Sequence, residues 1–277
     1  MLEEVDLERL DSLDLGSAFR RLGTYRGILR EFGGAAFNLA VWPVGVAQDL
    51  ASLGVSKVPW PTKARSNGGP PPTPPDREAA EVPIVLVHGY FHNRSGFMVM
   101  RRALRRHGFR NVTAFTYNPL RKGIPELSRA VGDRIESVID LTGSPKVHIV
   151  GHSLGGLLAR YYVEQMHGED NVHTVVTLGT PHRGTSAAYF GRSATARQMR
   201  PGADLIRLMQ NAQRPESVRY LSYYSTLDAL VVPTHSALLE CGNHSMTRNV
   251  RVHDLGHLSL LLSQELIESI ASSLSAI

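Results

Sequence analysis

The 277-residue chain is 42% hydrophobic and 20% charged, which leaves ample apolar material for one sizeable core and excludes disorder throughout. Its single cysteine, Cys241, excludes an intrachain disulfide, and no Cys/His pair has the short spacing of a structural zinc site. The formal charge of +5 is a modest excess, concentrated in Arg101, Arg102, Arg105, Arg106 and Arg110, and with no aromatic platform interleaved it argues against nucleic acid as a partner.

The opening segment, MLEEVDLERLDSLDL, is acidic where a cleaved secretory signal is basic, so the expected location is the cytoplasm or a membrane surface reached peripherally. Residues 32–48 lack charge but carry three glycines, an asparagine and a proline, short of the ~20 apolar residues of a spanning helix. Residues 1–58 therefore read as a helical appendage whose apolar stretch packs on the main domain or on a second chain, or lies at a membrane interface. Eight of the sixteen prolines fall between Pro59 and Pro83, and because proline fixes its backbone and donates no ladder hydrogen bond, 59–82 reads as an extended linker. A chain starting near Glu81 is expected to fold and to keep its activity on short soluble substrates.

From Pro83 onward strand and helix alternate. PIVLVHG is a strand, 97–106 a helix, NVTAFTY a strand, and 124–141 a helix with Leu127, Val131, Ile135, Val138 and Ile139 on one face. KVHIVGHS is the next strand, 155–165 a helix, and VHTVVTLGT, VRYLSYYS and NVRVHDL are further strands, closed by a helix over 258–274. Unbroken apolar strands between helices predict an α/β fold with a mostly parallel, doubly wound sheet and helices on both faces. The exception is 185–219, an insertion with only a weak helical pattern at 203–209, long enough to act as a lid. Its Leu205, Ile206, Leu208 and Met209 are then available to face an acyl chain.

The chemistry concentrates in VHIVGHSLGGLL, where a strand runs into Gly151, His152, Ser153, Leu154 and Gly155 and then into a helix. G-x-S-x-G in that context puts Ser153 on a strained turn with its hydroxyl projecting at the sheet edge. A serine hydroxyl needs a histidine base, itself oriented by a carboxylate, and here the expected order is serine, acid, histidine, each just past a strand. Asp228 follows VRYLSYYS and is the best acid, ahead of Asp204 in the insertion and Asp254 beside the last strand. His257 follows NVRVHDL through Gly256 and is the best base, ahead of His182, His235, His244 and His253. Two donors must meet the oxyanion of acyl transfer, and the backbone N–H groups of Leu154 and Tyr90 are the candidates. Phe91 and Phe97, beside Tyr90, offer an apolar wall for substrate, and none of this chemistry calls for a metal or a cofactor.

The set HGY, GHSLGG, TLGTPHRGT, STLDALVVP and LGHLSLL, spanning 83–277, resembles the α/β-hydrolase superfamily and within it the small bacterial triacylglycerol lipases and esterases. The resemblance implies Ser153, Asp228 and His257 as the triad, Tyr90 and Leu154 as oxyanion donors, and His182 as a shaping residue near the active-site mouth. It implies hydrolysis of carboxylic esters, lipid esters foremost, with a lipid or small ester as the binding partner. An acyltransferase or thioesterase on the same triad, or a silent binding module that keeps the fold, are the alternatives. The appendage and proline-rich linker depart from the minimal members of that group.

Overall fold

The computed structural model describes Glu31, residues 77–240 and residues 244–276. The expected appendage and linker lie outside the described residues except for Glu31.

Six strands form one sheet, all parallel: β1 (Ile84–Val87), β2 (Val112–Ala114), β3 (Val147–His152), β4 (Val172–Leu178), β5 (Arg219–Ser225) and β6 (Thr247–Val252). Their order is β2-β1-β3-β4-β5-β6. The chain steps from β1 out to β2 and returns to the far side of β1 as β3, so a crevice opens between the carboxyl ends of β1 and β3. The following helices are α1 (Arg77–Glu81), α2 (Met98–Arg106), α3 (Ile124–Thr142), α4 (Leu154–Gln165), α5 (Ala194–Gln198), α6 (Asp204–Asn211) and α7 (Gln264–Ser275).

The period of two along β1 builds both cores at once. Val85 and Val87 face a cluster with Leu127, Val131 and Ile135 of α3 and Leu157 and Leu158 of α4, whereas Ile84 and Leu86 face Met100 and Leu104 of α2 and Ile267 and Ile270 of α7. Both faces of β1 and β3 are buried, as their continuous apolar runs require. β6, written TRNVRV and only partly buried, closes one edge with its exposed arginines, a composition that discourages further strand pairing.

Three expectations need correction. The closing helix does not begin at Leu258: residues 259–261 form one 3₁₀ turn, and α7 starts afresh where the Ser263 side chain accepts the Leu266 N–H. Phe97 is only 1% exposed and packs among the residues of the α2 and α7 face, so it belongs to the core and not to a substrate wall. In the insertion, Ile206 and Met209 of α6 are fully buried against the α3 and α4 face and Leu205 packs partly buried against the same cluster, so three of the four side chains offered to an acyl chain are spent on the core.

Candidate active site

β3 ends at His152, and the next residue carries the backbone to φ 54° and ψ −121° before α4 begins. That is a left-handed value at a non-glycine residue, held in place because Ser153 N–H donates to Leu178 O at 2.9 Å on the neighbouring strand. The turn is possible only because its flanks are bare: a Cβ on Gly155 would lie 2.0 Å from Val87 O, and one on Gly151 2.5 Å from Gly156 N. Gly156 is equally hemmed in, with Thr180 Oγ1 2.0 Å from where its Cβ would be, and Thr180 spends its hydroxyl on Ser153 O at 3.0 Å. The turn at Ser153 is thus packed from both sides, and Ser153 itself remains half-buried.

β5 delivers Asp228 and the loop after β6 delivers His257; both are buried, and His257 Nδ1–H donates to Asp228 Oδ2 at 2.7 Å. The other carboxylate oxygen, Oδ1, accepts Leu230 N–H at 2.9 Å and Val231 N–H at 3.1 Å. Among the described residues no other hydrogen bond engages the His257 ring, which leaves Nε2 for a substrate proton. Burial opposes charge on His257, but the Asp228 carboxylate, its hydrogen bond and the Glu31 carboxylate outweigh it, so the imidazole is held above its ordinary 6.5. A base must be neutral to accept a proton. The acid limb of the kcat/KM profile on a soluble ester should therefore lie above the usual imidazole value, and a limb below 6.5 would contradict this electrostatic balance.

The chain's His92 and His152 complete the surroundings of His257. His152 Nε2–H donates to the His257 carbonyl at 3.0 Å, its ring lies 4.6 Å from that of His257, and His92 stacks on His152 at 5.5 Å. Burial pushes His92 down to about 4 and His152 well below the imidazole range. Neither competes for the proton that His257 would carry.

The crevice's other wall is the loop after β1. His88 accepts Tyr117 N–H on Nε2 at 3.2 Å, so its proton sits on Nδ1 and goes to Gly89 O at 2.8 Å. The ring stacks on Tyr117 with centroids 4.0 Å apart, and burial pushes it down to about 3. One fixed tautomer thus holds the turn that leads to Tyr90. The Tyr90 N–H donates to no acceptor among the described residues, and Leu154, as the first residue of α4, has an N–H with no intrahelical acceptor. Phe91 is 75% exposed and meets Tyr90 edge-on at 4.8 Å. Tyr90 Oη and Ser193 Oγ share a hydrogen bond at 2.7 Å, tying this loop to the insertion.

The rivals for acid and base fall elsewhere. Asp204 pairs with Arg207 on the exposed face of α6. His244 sits between Pro215 O and Thr247 Oγ1. His182 is buried behind the sheet, where Arg160 Nη1 donates to its Nδ1 at 3.2 Å and its Nε2–H serves Thr177 and Ser222. Arg160 also pairs with Glu164, both side chains almost fully buried, and donates to Met209 O at 3.0 Å, which fastens α6 to α4. Three contributors escape sequence reasoning: His152 and His88, each hidden inside a motif read for its serine or glycine, and Glu31, which no local pattern connects to His257.

Residues 83–233, more than half of the chain, match the family model described as palmitoyl protein thioesterase. Triacylglycerol lipases of Pseudarthrobacter phenanthrenivorans and Burkholderia plantarii are each 33% identical over 122 residues, which is 40% of this chain and 37% and 33% of theirs. The match thus spans about a third of those relatives' own length. Among solved structures, the mature lipase BlEst2 of Bacillus licheniformis has a TM-score of 0.62 at 18% identity, over 76% of this chain and 97% of that one. Lipase B of Aspergillus fumigatus has a TM-score of 0.58 at 18% identity, over 76% of this chain and 58% of that one. These likenesses show an α/β-hydrolase fold of the lipase and esterase type, and by the extent of its family match the chain belongs to the palmitoyl protein thioesterase family.

Proposed function

We propose that the protein is a serine hydrolase that cleaves carboxylic esters of lipids through an acyl-enzyme. Ser153 Oγ attacks the ester carbonyl carbon and passes its proton to His257 Nε2; Asp228 stabilises the imidazolium, and the Tyr90 and Leu154 N–H groups receive the oxyanion. His257 returns the proton to the leaving alcohol, and water, activated by the same base, releases the acid. The observation that carries this reading is the 2.7 Å bond between Asp228 and His257 in a chain whose Ser153 stands on a strained strand-to-helix turn.

An apolar substrate suits the rim. Phe91, Tyr189, Phe190, Leu230 and Val232 are exposed, Phe190 to 94%; Ser186 N–H to Val232 O and Thr185 Oγ1–H to Leu230 O bind the loops of the last four together, and the Tyr90–Ser193 hydrogen bond ties the Phe91 loop to them. Peripheral membrane contact through residues 25–58 is part of the same proposal.

A fluorophosphonate probe tests the chemistry directly. Wild type should be labelled, Ser153→Ala should not, and equal labelling of the two would refute the serine assignment. The family match supports a second reading, cleavage of a thioester on the same residues. Comparing one acyl chain presented as an oxygen ester and as a thioester separates them, since a kcat/KM dominated by the thioester selects the second reading.

A further inference from the structure

The peptide group between His257 and Leu258 is held at both ends by residues outside its own loop. His152 donates to its carbonyl, and Glu31, 227 residues upstream of Leu258, accepts its N–H on Oε1 at 2.9 Å and on Oε2 at 3.0 Å. Glu31 Oε2 accepts Ser259 N–H as well, at 3.0 Å. The carboxylate lies hard against the loop: a Cβ on Gly256 would come within 2.5 Å of Glu31 Oε2. The fit therefore requires glycine at the residue directly before the base. Within the loop, Ser259 Oγ accepts Gly256 N–H at 2.7 Å, and upstream Ser225 Oγ donates to Leu255 O at 2.5 Å.

We propose that Glu31 is a positioning residue for the His257 base, reaching the catalytic loop from the N-terminal segment and fixing both its geometry and its electrostatic surroundings. The proposal rests on the serine-hydrolase reading above. Two effects follow from one side chain. The consecutive backbone N–H groups of Leu258 and Ser259, both donating to one carboxylate, remove the freedom of the residue next to the base, where misplacement of the imidazole is costly. Its negative charge also favours the imidazolium that forms as Ser153 attacks. The charged and titratable groups around His257 are Asp228 from the loop after β5, Glu31, His152 at the end of β3 and His92 after β1. With both histidines held neutral by burial, Glu31 is the second negative partner beside Asp228. The N-terminal segment is on this view a working part of the catalytic centre, which departs from the expectation of an appendage that can be dispensed with.

The test uses the full chain, p-nitrophenyl butyrate as a soluble ester, and Glu31→Gln, Glu31→Asp and Gly256→Ala, each checked by thermal melting. Glu31→Gln keeps the size and loses the charge, so kcat should fall about tenfold at unchanged KM, with the acid limb moved to lower pH. Glu31→Asp keeps the charge on a shorter stem and should lower kcat while leaving the limb near its wild-type place. Gly256→Ala, which pushes the carboxylate away without altering it, should resemble Glu31→Gln. If Glu31→Gln does not fold, Gly256→Ala and Glu31→Asp carry the comparison. Unchanged kcat and limb in folded variants overturn the proposal; so does a fall in kcat with the limb unmoved in both Glu31→Gln and Gly256→Ala, because Glu31 is then only a strut. Fluorophosphonate labelling of the wild type separates the two levels. A labelled wild type with an indifferent Glu31→Gln sinks the role of Glu31 alone, whereas an unlabelled wild type sinks the serine-hydrolase reading and the role with it.

Discussion

Asp228→Asn should lower kcat roughly ten-thousand-fold with the fold intact. The size of the loss follows from how the carboxylate is used. Oδ1 accepts two backbone N–H groups, so an amide at this position must put its oxygen there and its NH₂ where Oδ2 now meets His257. That NH₂ can only donate, which forces His257 Nδ1 to accept and moves the ring proton to Nε2. The nitrogen meant to receive the serine proton is then already occupied. Asp204→Asn, on the exposed face of α6, should change kcat by less than about twofold, and kinetics of the two variants side by side with their circular dichroism decides the matter. The reverse ranking would place the acid in the insertion.

The second large effect concerns stability toward acid. His88 and His148 are pushed down to about 3 and His92 to about 4 by burial, and His152 and His182 lie well below the imidazole range. Unfolded, each would protonate near 6.5, so the fold's advantage is complete above that value and is lost as the pH falls toward the folded values. His257 has the opposite sign: its folded value is raised, so its contribution is present below the ordinary imidazole value and lost as the pH rises through the folded one. The two windows do not overlap: below about pH 6 His257 is protonated in both states and drops out, so there the buried histidines alone set the slope, and unfolding takes up protons. Thermal melting should show a steep fall in the midpoint below about pH 6, and an unchanged midpoint down to about pH 5 would refute it. His148→Leu offers a finer check. Neither ring nitrogen of His148 has a hydrogen-bond partner among the described residues, so removing it should shallow the slope by about one proton.

Much of this was legible in the residues because it depends on local periodicity and chain order. The runs IVLV and VHIVGH could be read as buried strands since both faces of an inner parallel strand must be apolar, and the strand-to-helix passage through GHSLGG marks Ser153 for the same local reason. Asp228 and His257 follow from their order after successive strands. The misreadings occur where a local pattern leaves the partner surface open. An amphipathic α6 announces that Ile206 and Met209 need cover but not that α3 and α4 supply it, and the aromatic Phe97 looks the same whether it lines a pocket or fills a core. LSLLLS fits a continuous helix as well as a 3₁₀ turn followed by a new start at Ser263. Glu31 is the extreme case, since a contact across 227 residues leaves no mark on the pattern at either end.

The interlock of Gly156 and Thr180 constrains how this sequence can drift. Any side chain at position 156 collides with the threonine hydroxyl, and any retreat at position 180 to alanine or glycine gives up the hydrogen bond that steadies the Ser153 carbonyl. A change at 156 alone is blocked by sterics; at 180 alanine still leaves a Cβ 2.9 Å from where the new side chain would begin, so only glycine clears the space, at the cost of a looser turn at Ser153. Paths of single substitutions must therefore pass through position 180 first, and in a broad collection of descendants of this chain a residue other than glycine at 156 should be found only alongside a change at 180.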